Sequence, residues 1–79
     1  MPTVEISGWR EGFRKISCTN LLRDVAGLSL REAKGYTDRV LDGERVTITV
    51  GTVDAATRLA AALTELGADA RLLDLVADV

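Results

Sequence analysis

Two kinds of side chain in this sequence could take part in chemistry or binding: a single cysteine and a cluster of basic residues. The chain has no histidine, so the commonest general base and metal ligand is missing, and a zinc site is not expected. Cys18 falls on an apolar helical stripe, which predicts a buried, unreactive thiol rather than a nucleophile. The carboxylates are scattered, and no glycine-rich phosphate loop occurs. We therefore predict that the protein is not an enzyme and uses no cofactor and no metal.

The basic residues are concentrated in the first half of the chain. The formal net charge is −2 over 79 residues. Residues 10–39 nevertheless carry seven basic and four acidic side chains, whereas the remainder carries three basic and eight acidic ones. Such a region can be an ordinary solvated surface or a face that attracts an acidic partner. The negative total charge argues against nucleic acid as the main ligand.

Composition predicts one globular domain that spans residues 1–79. Hydrophobic residues make up 47% of the chain and charged residues 28%, which is typical of globular proteins. No apolar run approaches the roughly 18–20 residues of a membrane span, and the first residues lack the pattern of a signal peptide. A single cysteine cannot form an internal disulfide. We expect a cytoplasmic protein with no membrane partner.

Three segments alternate between apolar and polar residues, as β-strands do. They are TVEISGW (3–9), RVTITV (45–50) and ADARLLDLV (68–76), and the alternation of the last is lost beyond Leu73. In the first strand, Val4 and Ile6 are expected to face the core, and Glu5 and Ser7 the opposite side. The other residues predicted to face inward from the strands are Val46, Ile48, Val50, Ala70 and Leu72.

Three further segments have the period of an α-helix. The first begins at Lys15, the second follows Ser29, and the third follows Thr52 and is ended by Gly67. The residues predicted to face the core are Cys18, Leu21, Leu22 and Val25 in the first, Leu30, Ala33, Thr37, Val40 and Leu41 in the second, and Val53, Ala56, Leu59, Ala60, Leu63 and Leu66 in the third. The order β-α-α-β-α-β predicts an α+β fold of two layers, in which three helices cover one face of a three-stranded antiparallel sheet.

The connection between the first two helices is specified in unusual detail by the stretch GLSLREAK (27–34). Gly27 is expected to end the first helix in the left-handed conformation that glycine adopts at little cost. Ser29 and Glu32 have the spacing of a capping box, in which each side chain binds the backbone amide of the other residue. We therefore predict two short helices joined by a turn of two or three residues.

The same stretch resembles the GLGLKEAK signature of the C-terminal domain of the bacterial ribosomal stalk protein. The segments KISCTNLLRDVAGLSLREAK and DAATRLAAALTELGADARL are similar to other parts of that domain, so the resemblance covers about residues 3–74. It implies the β-α-α-β-α-β fold. It also implies a non-catalytic role in translation, in which the face made by the first two helices binds translational GTPases.

The resemblance further implies a set of partner-binding residues. The predicted set is Lys15, Ile16, Thr19, Asn20, Arg23, Arg31 and Lys34. Thr19 stands where the family has an apolar residue, and Asn20 where it has a lysine. On the second helix, Lys34 is expected to lie opposite the surface filled by Leu30 and Thr37.

Two other interpretations of the sequence stay open. The stalk protein has an N-terminal dimerisation segment and an Ala/Gly-rich hinge, neither of which occurs in this sequence. The sequence is therefore expected to be either an excised domain or a free-standing relative, and its first residues, MPTVEISGW, and its last residues, LVADV, favour the relative. Such a relative could be a regulatory or adaptor module with an unrelated protein partner. Two short helices with a basic bias are also compatible with a nucleic-acid binder of the helix-turn-helix type.

Overall fold

A computed structural model of the chain describes residues 2–73 and has the predicted order of elements. The elements are β1 (Thr3–Trp9), α1 (Lys15–Ala26), α2 (Leu30–Leu41), β2 (Val46–Thr49), α3 (Val53–Glu65) and β3 (Ala68–Leu73). The strands form one sheet in the order β2-β1-β3, and both pairs of neighbours are antiparallel. The predicted α+β fold is confirmed. The part of the last predicted strand beyond Leu73 lies outside the described residues.

The sheet has one buried face, as the alternation predicts. Val4 on the central strand lies opposite Ile48 on one side and Leu72 on the other. The β2 residues Val46 and Ile48 are buried, and the residues between and after them are exposed. A one-residue slip of either edge strand would exchange these two faces, so the apolar alternation excludes that slip.

The helices bury this face of the sheet. Helix α2 packs on β1 and β2, helix α3 packs on β1 and β3, and helix α1 packs against α2 and α3. The core residues are Val4, Ile6, Cys18, Leu22, Ala33, Val40, Val46, Ile48, Val50, Ala56, Leu59, Leu63 and Ala68. Helix α1 packs against the other two helices, and residues along its seam with α2 are exposed to solvent.

Two residues predicted to face the core do not. The side chains of Leu30 and Val53 are 55% and 62% exposed. Each is the first residue of its helix. The apolar stripe continues to this residue, but the elements packed on the helix do not cover it. The prediction of an inward position was therefore wrong for both.

The other face of the sheet carries an acidic residue that is almost covered. Glu5 lies on this outer face, as predicted, yet it is only 8% exposed. The Nε atom of Arg71 lies 3.0 Å from its Oε1 atom, and the Nε atom of Arg45 lies 3.7 Å from its Oε2 atom. The two arginines approach from opposite sides of the central strand and shield the carboxylate from water.

The corner between α1 and α2 has the predicted caps. Gly27 adopts φ 69° and ψ 22°, and its amide donates to the carbonyl of Leu22. The Oγ atom of Ser29 accepts a hydrogen bond from the Glu32 amide at 3.2 Å, and the Glu32 carboxylate accepts one from the Ser29 amide at 3.1 Å. The capping box is confirmed. It fixes where α2 begins, and hence which of its residues face α1.

Aromatic residues form the contacts at the other end of the helix pair, where α1 begins and α2 ends. The Nε1 atom of Trp9 donates to the carbonyl oxygen of Leu41 at 3.2 Å, and the rings of Trp9 and Phe13 have centroids 6.3 Å apart.

Gly67 has φ 102°, and a Cβ atom there would lie 3.0 Å from the Cα atom of Phe13. Glycine at this position lets the turn before β3 pack closely against the loop that leads into α1.

Candidate protein-binding groove

A groove of about 250 Å³ lies between α1 and α2. It is lined by Lys15, Ile16, Thr19, Asn20, Leu30, Lys34, Thr37 and Asp38. Five of the seven predicted partner-binding residues are among them. The other two, Arg23 and Arg31, are exposed on the same helices but do not line the groove.

The α2 side of the groove differs from the prediction. Leu30, Lys34 and Thr37 all line it, so Lys34 does not lie opposite the other two, and that expectation was wrong. Their spacing of four and three residues places them on one side of the helix. Thr37 is only 2% exposed, so the prediction that it faces the core is confirmed, whereas Leu30 was wrongly assigned to the core and Asp38 was not considered. The signal that could have found the site is the i, i+4, i+8 series of Leu30, Lys34 and Asp38.

The groove exposes apolar surface between charged residues. Ile16 on α1 is 72% exposed, and Leu30 on α2 is 55% exposed. Lys15 and Lys34 line the same groove. An apolar centre with charged residues around it is the usual composition of a protein interface.

The base of the groove is polar and joins the two helices. The Oγ1 atoms of Thr19 and Thr37 are 2.9 Å apart. The hydroxyl of Thr37 also lies 3.0 Å from the carbonyl oxygen of Ala33, and that of Thr19 lies 3.1 Å from the carbonyl oxygen of Lys15. Each hydroxyl can donate one hydrogen bond and accept two. At these distances both hydroxyls have partners within the protein. This contact links α1 to α2 beneath the exposed apolar residues.

Cys18 is buried under this hydroxyl pair. It is fully inaccessible to solvent, and its Sγ atom lies 3.6 Å from the Oγ1 atom of Thr37. Burial raises the pKa of the Cys18 thiol, and the hydrogen bond from Thr37 opposes this in part. The raised pKa lowers the fraction of thiolate, which is the reactive form.

We expect thiol reagents to label Cys18 slowly in the folded protein and rapidly in denaturant. Burial blocks access, and the raised pKa means that the native rate stays low as the pH rises through the range where a free cysteine ionises. The measurement is the rate at which a chromogenic disulfide reagent releases its coloured thiolate at pH 8, with and without urea. The Cys18→Ser variant serves as the blank. Equal rates in both conditions would contradict the buried position.

Among the described residues, the cations that form no ion pair are concentrated on and just before the two helices that form the groove, which is also lined by the carboxylate of Asp38. Within residues 2–73, the cations that form no ion pair are Arg14, Lys15, Arg23, Arg31 and Lys34. All of them lie between positions 14 and 34, on α1, just before it, or in the first half of α2. Each remaining arginine pairs with a carboxylate. The surface formed by the two helices therefore favours an acidic partner.

Residues 2–73 contain no group of three or more histidine, cysteine, aspartate or glutamate side chains that could hold a metal ion. No helix among them has the length and apolar character needed to cross a bilayer.

Comparisons with known proteins identify no family. No family model matches the sequence, and a search of curated proteins finds no significant match. What the chain does must therefore be inferred from the groove, from its charges and from the motif at the corner.

Proposed function

We propose that the protein is a non-catalytic binding module that docks an acidic segment of a partner protein in the groove between α1 and α2. The observation that carries the proposal is the pair of exposed apolar side chains, Ile16 and Leu30, in a groove that also holds Lys15 and Lys34. Neither lysine has an ion-pair partner among residues 2–73. A partner with carboxylates around an apolar side chain would complement both properties.

The class of partner we propose is a translational GTPase, encountered in the cytoplasm. The support is the resemblance of residues 27–34 to the stalk-domain signature. Three residues that match the family's binding residues, Lys15, Ile16 and Lys34, line this groove. The groove is small, so the complex should be transient, assisted by charge attraction during encounter and weakened by salt.

A second candidate is a regulatory or adaptor module whose acidic partner has no part in translation. The observation that favours it is the polar base of the groove. Thr19 replaces an apolar residue of the stalk family, and its hydroxyl is bound to that of Thr37. Asn20, which also lines the groove, replaces a lysine. Both changes alter the surface that a stalk domain offers to elongation factors.

The test is direct binding to a purified bacterial elongation factor loaded with a GTP analogue. Titrations at about 0.05 and 0.3 M salt should give saturable binding that is weaker at the higher salt. Absence of saturable binding at low salt would reject the translational partner. Capture of a non-translational acidic protein by the same groove would then support the second candidate. Retention of a defined oligonucleotide at about 0.15 M salt would instead favour nucleic acid.

A further inference from the structure

Asp38 places a carboxylate in a groove whose other charged residues are lysines. It lines the groove together with Lys15 and Lys34, and its side chain is exposed. A docked segment that carried only acidic charges would bring one of its carboxylates close to this one, and like charges at short range repel each other. A wholly acidic segment therefore complements the two lysines but not the aspartate between them.

The three charges occupy different levels along the groove. Lys34 and Asp38 are one turn apart on α2, or about 6 Å along its axis. Helices α1 and α2 are joined by three residues and form an antiparallel pair, in which Thr19 contacts Thr37 at 2.9 Å. Asp38 directly follows Thr37, whereas Lys15 is one turn before Thr19 and so lies level with the end of α2. The order along the groove is therefore positive, negative, positive.

The stability of α2 does not explain Asp38. The residue lies in the last turn of the helix, which ends at Leu41, and negative charge is disfavoured there because the carbonyl end of a helix is itself partly negative. Lys34 precedes it by one turn, which is the less favourable order for an ion pair on a helix. The carboxylate has no ion-pair partner within residues 2–73. The described part of the fold thus leaves it available to a ligand.

We infer that the segment docked in the groove carries a basic residue between two acidic ones. The basic side chain faces Asp38, and the acidic side chains face Lys34 and Lys15. The apolar part of the same segment contacts Ile16 and Leu30, the exposed apolar residues of the groove. A shift of the segment by one level would bring like charges together, so this pattern also fixes the register of docking. The inference rests on the proposed function and specifies the charge pattern of its ligand.

The experiment compares Asp38→Asn with Asp24→Asn in titrations of the GTP-loaded elongation factor at about 0.05 M salt. Asp24 is exposed on α1, does not line the groove and has no ion-pair partner in the described part of the chain. Both variants remove one negative charge with little change of shape. Asp38→Asn should weaken binding by about two- to fivefold, because an exposed charge pair is lost. Asp24→Asn should bind at least as tightly as the wild type, because it makes the protein less negative towards an acidic partner.

A double-mutant cycle separates a contact with the partner from an effect through Lys34. In the Lys34→Gln background, the neighbouring charge on α2 is absent. If Asp38 faces a basic residue of the partner, Asp38→Asn should still weaken binding by about two- to fivefold in that background. If Asp38 acts only by orienting or neutralising Lys34, the loss disappears there, and the inference is wrong. Circular dichroism of each variant checks that the fold is unchanged.

The remaining outcomes distinguish the inference from the proposed function. If Asp38→Asn binds as tightly as the wild type or more tightly, the segment has no basic residue at this level, so the inference is wrong and the proposed function stands. If Asp38→Asn and Asp24→Asn lose affinity equally, the effect is not local to the groove, and the inference is likewise wrong. If the wild type does not bind the elongation factor at all, the proposed function fails and this inference fails with it.

Discussion

Replacing Leu63 with alanine should lower the free energy of unfolding by about 2–5 kcal/mol. Leu63 lies on the inward side of α3, is fully inaccessible to solvent and is among the largest completely buried side chains. The loss combines the transfer of the removed methyl groups to water with the cavity that they leave. A domain of this size has modest stability, so a large part of the variant should be unfolded at room temperature. Urea melts followed by circular dichroism measure the effect.

Leu30→Ala is the matched control, because it makes the same chemical change at an exposed residue. Leu30 is 55% exposed at the start of α2, so its loss should change the free energy of unfolding by no more than about 0.5 kcal/mol. Similar urea midpoints for Leu63→Ala and the wild type would show that the inward face of α3 is wrongly assigned. A large loss for Leu30→Ala would mean that this leucine is covered in solution.

Lys34→Glu should weaken binding of the GTP-loaded elongation factor by about 2 kcal/mol, or roughly thirtyfold. Lys34 lines the groove beside Ile16 and Leu30 and has no ion-pair partner within residues 2–73. Its replacement removes an attraction to the acidic segment and adds a repulsion. The side chain is exposed, so circular dichroism should show an unchanged fold. The loss of affinity should be smaller at high salt, because salt screens both effects.

Arg58→Glu is the control for this change of net charge. Arg58 lies on α3, is exposed, and its Nε atom is 3.9 Å from a carboxylate oxygen of Asp54. The variant has the same net charge as Lys34→Glu but leaves the groove intact, so its affinity should stay within about threefold of the wild type. Equal losses for the two variants would indicate attraction to the protein as a whole. Affinity of Lys34→Glu equal to that of the wild type would place the working surface elsewhere.

Local features of the structure could be predicted because the residues that determine them are close in sequence. Ser29 and Glu32 are three residues apart, and the caps that they form depend on little else. The same holds for Gly27 and for the N-cap at Thr52, whose hydroxyl accepts from the Ala55 amide at 3.0 Å. The strands were found from alternation alone, since a half-buried sheet imposes a period of two residues.

Features that depend on contacts between distant segments were missed. The covering of Glu5 requires arginines 40 and 66 residues away in sequence, and the alternation does not reveal how neighbouring strands are paired. Leu30 was assigned to the core because the helical period shows which side of a helix is apolar. It does not show how far along that side the neighbouring elements cover the helix. Five of the predicted site residues meet in the groove. The residues that α2 contributes to the groove were predicted incorrectly, since the angle at which two helices cross decides which residues line the seam between them.

The hydrogen bond from Trp9 to Leu41 makes tryptophan fluorescence an intrinsic probe of the position of α2. Trp9 is the only tryptophan in the chain, and its indole is hydrogen-bonded to the last residue of α2. The emission of an indole depends on its hydrogen bond and on its exposure to water. A ligand that tilts α2 would stretch this bond and change the emission, whereas one that leaves the helix in place would not. Fluorescence of the unlabelled protein can therefore distinguish rigid docking from docking that moves the helix.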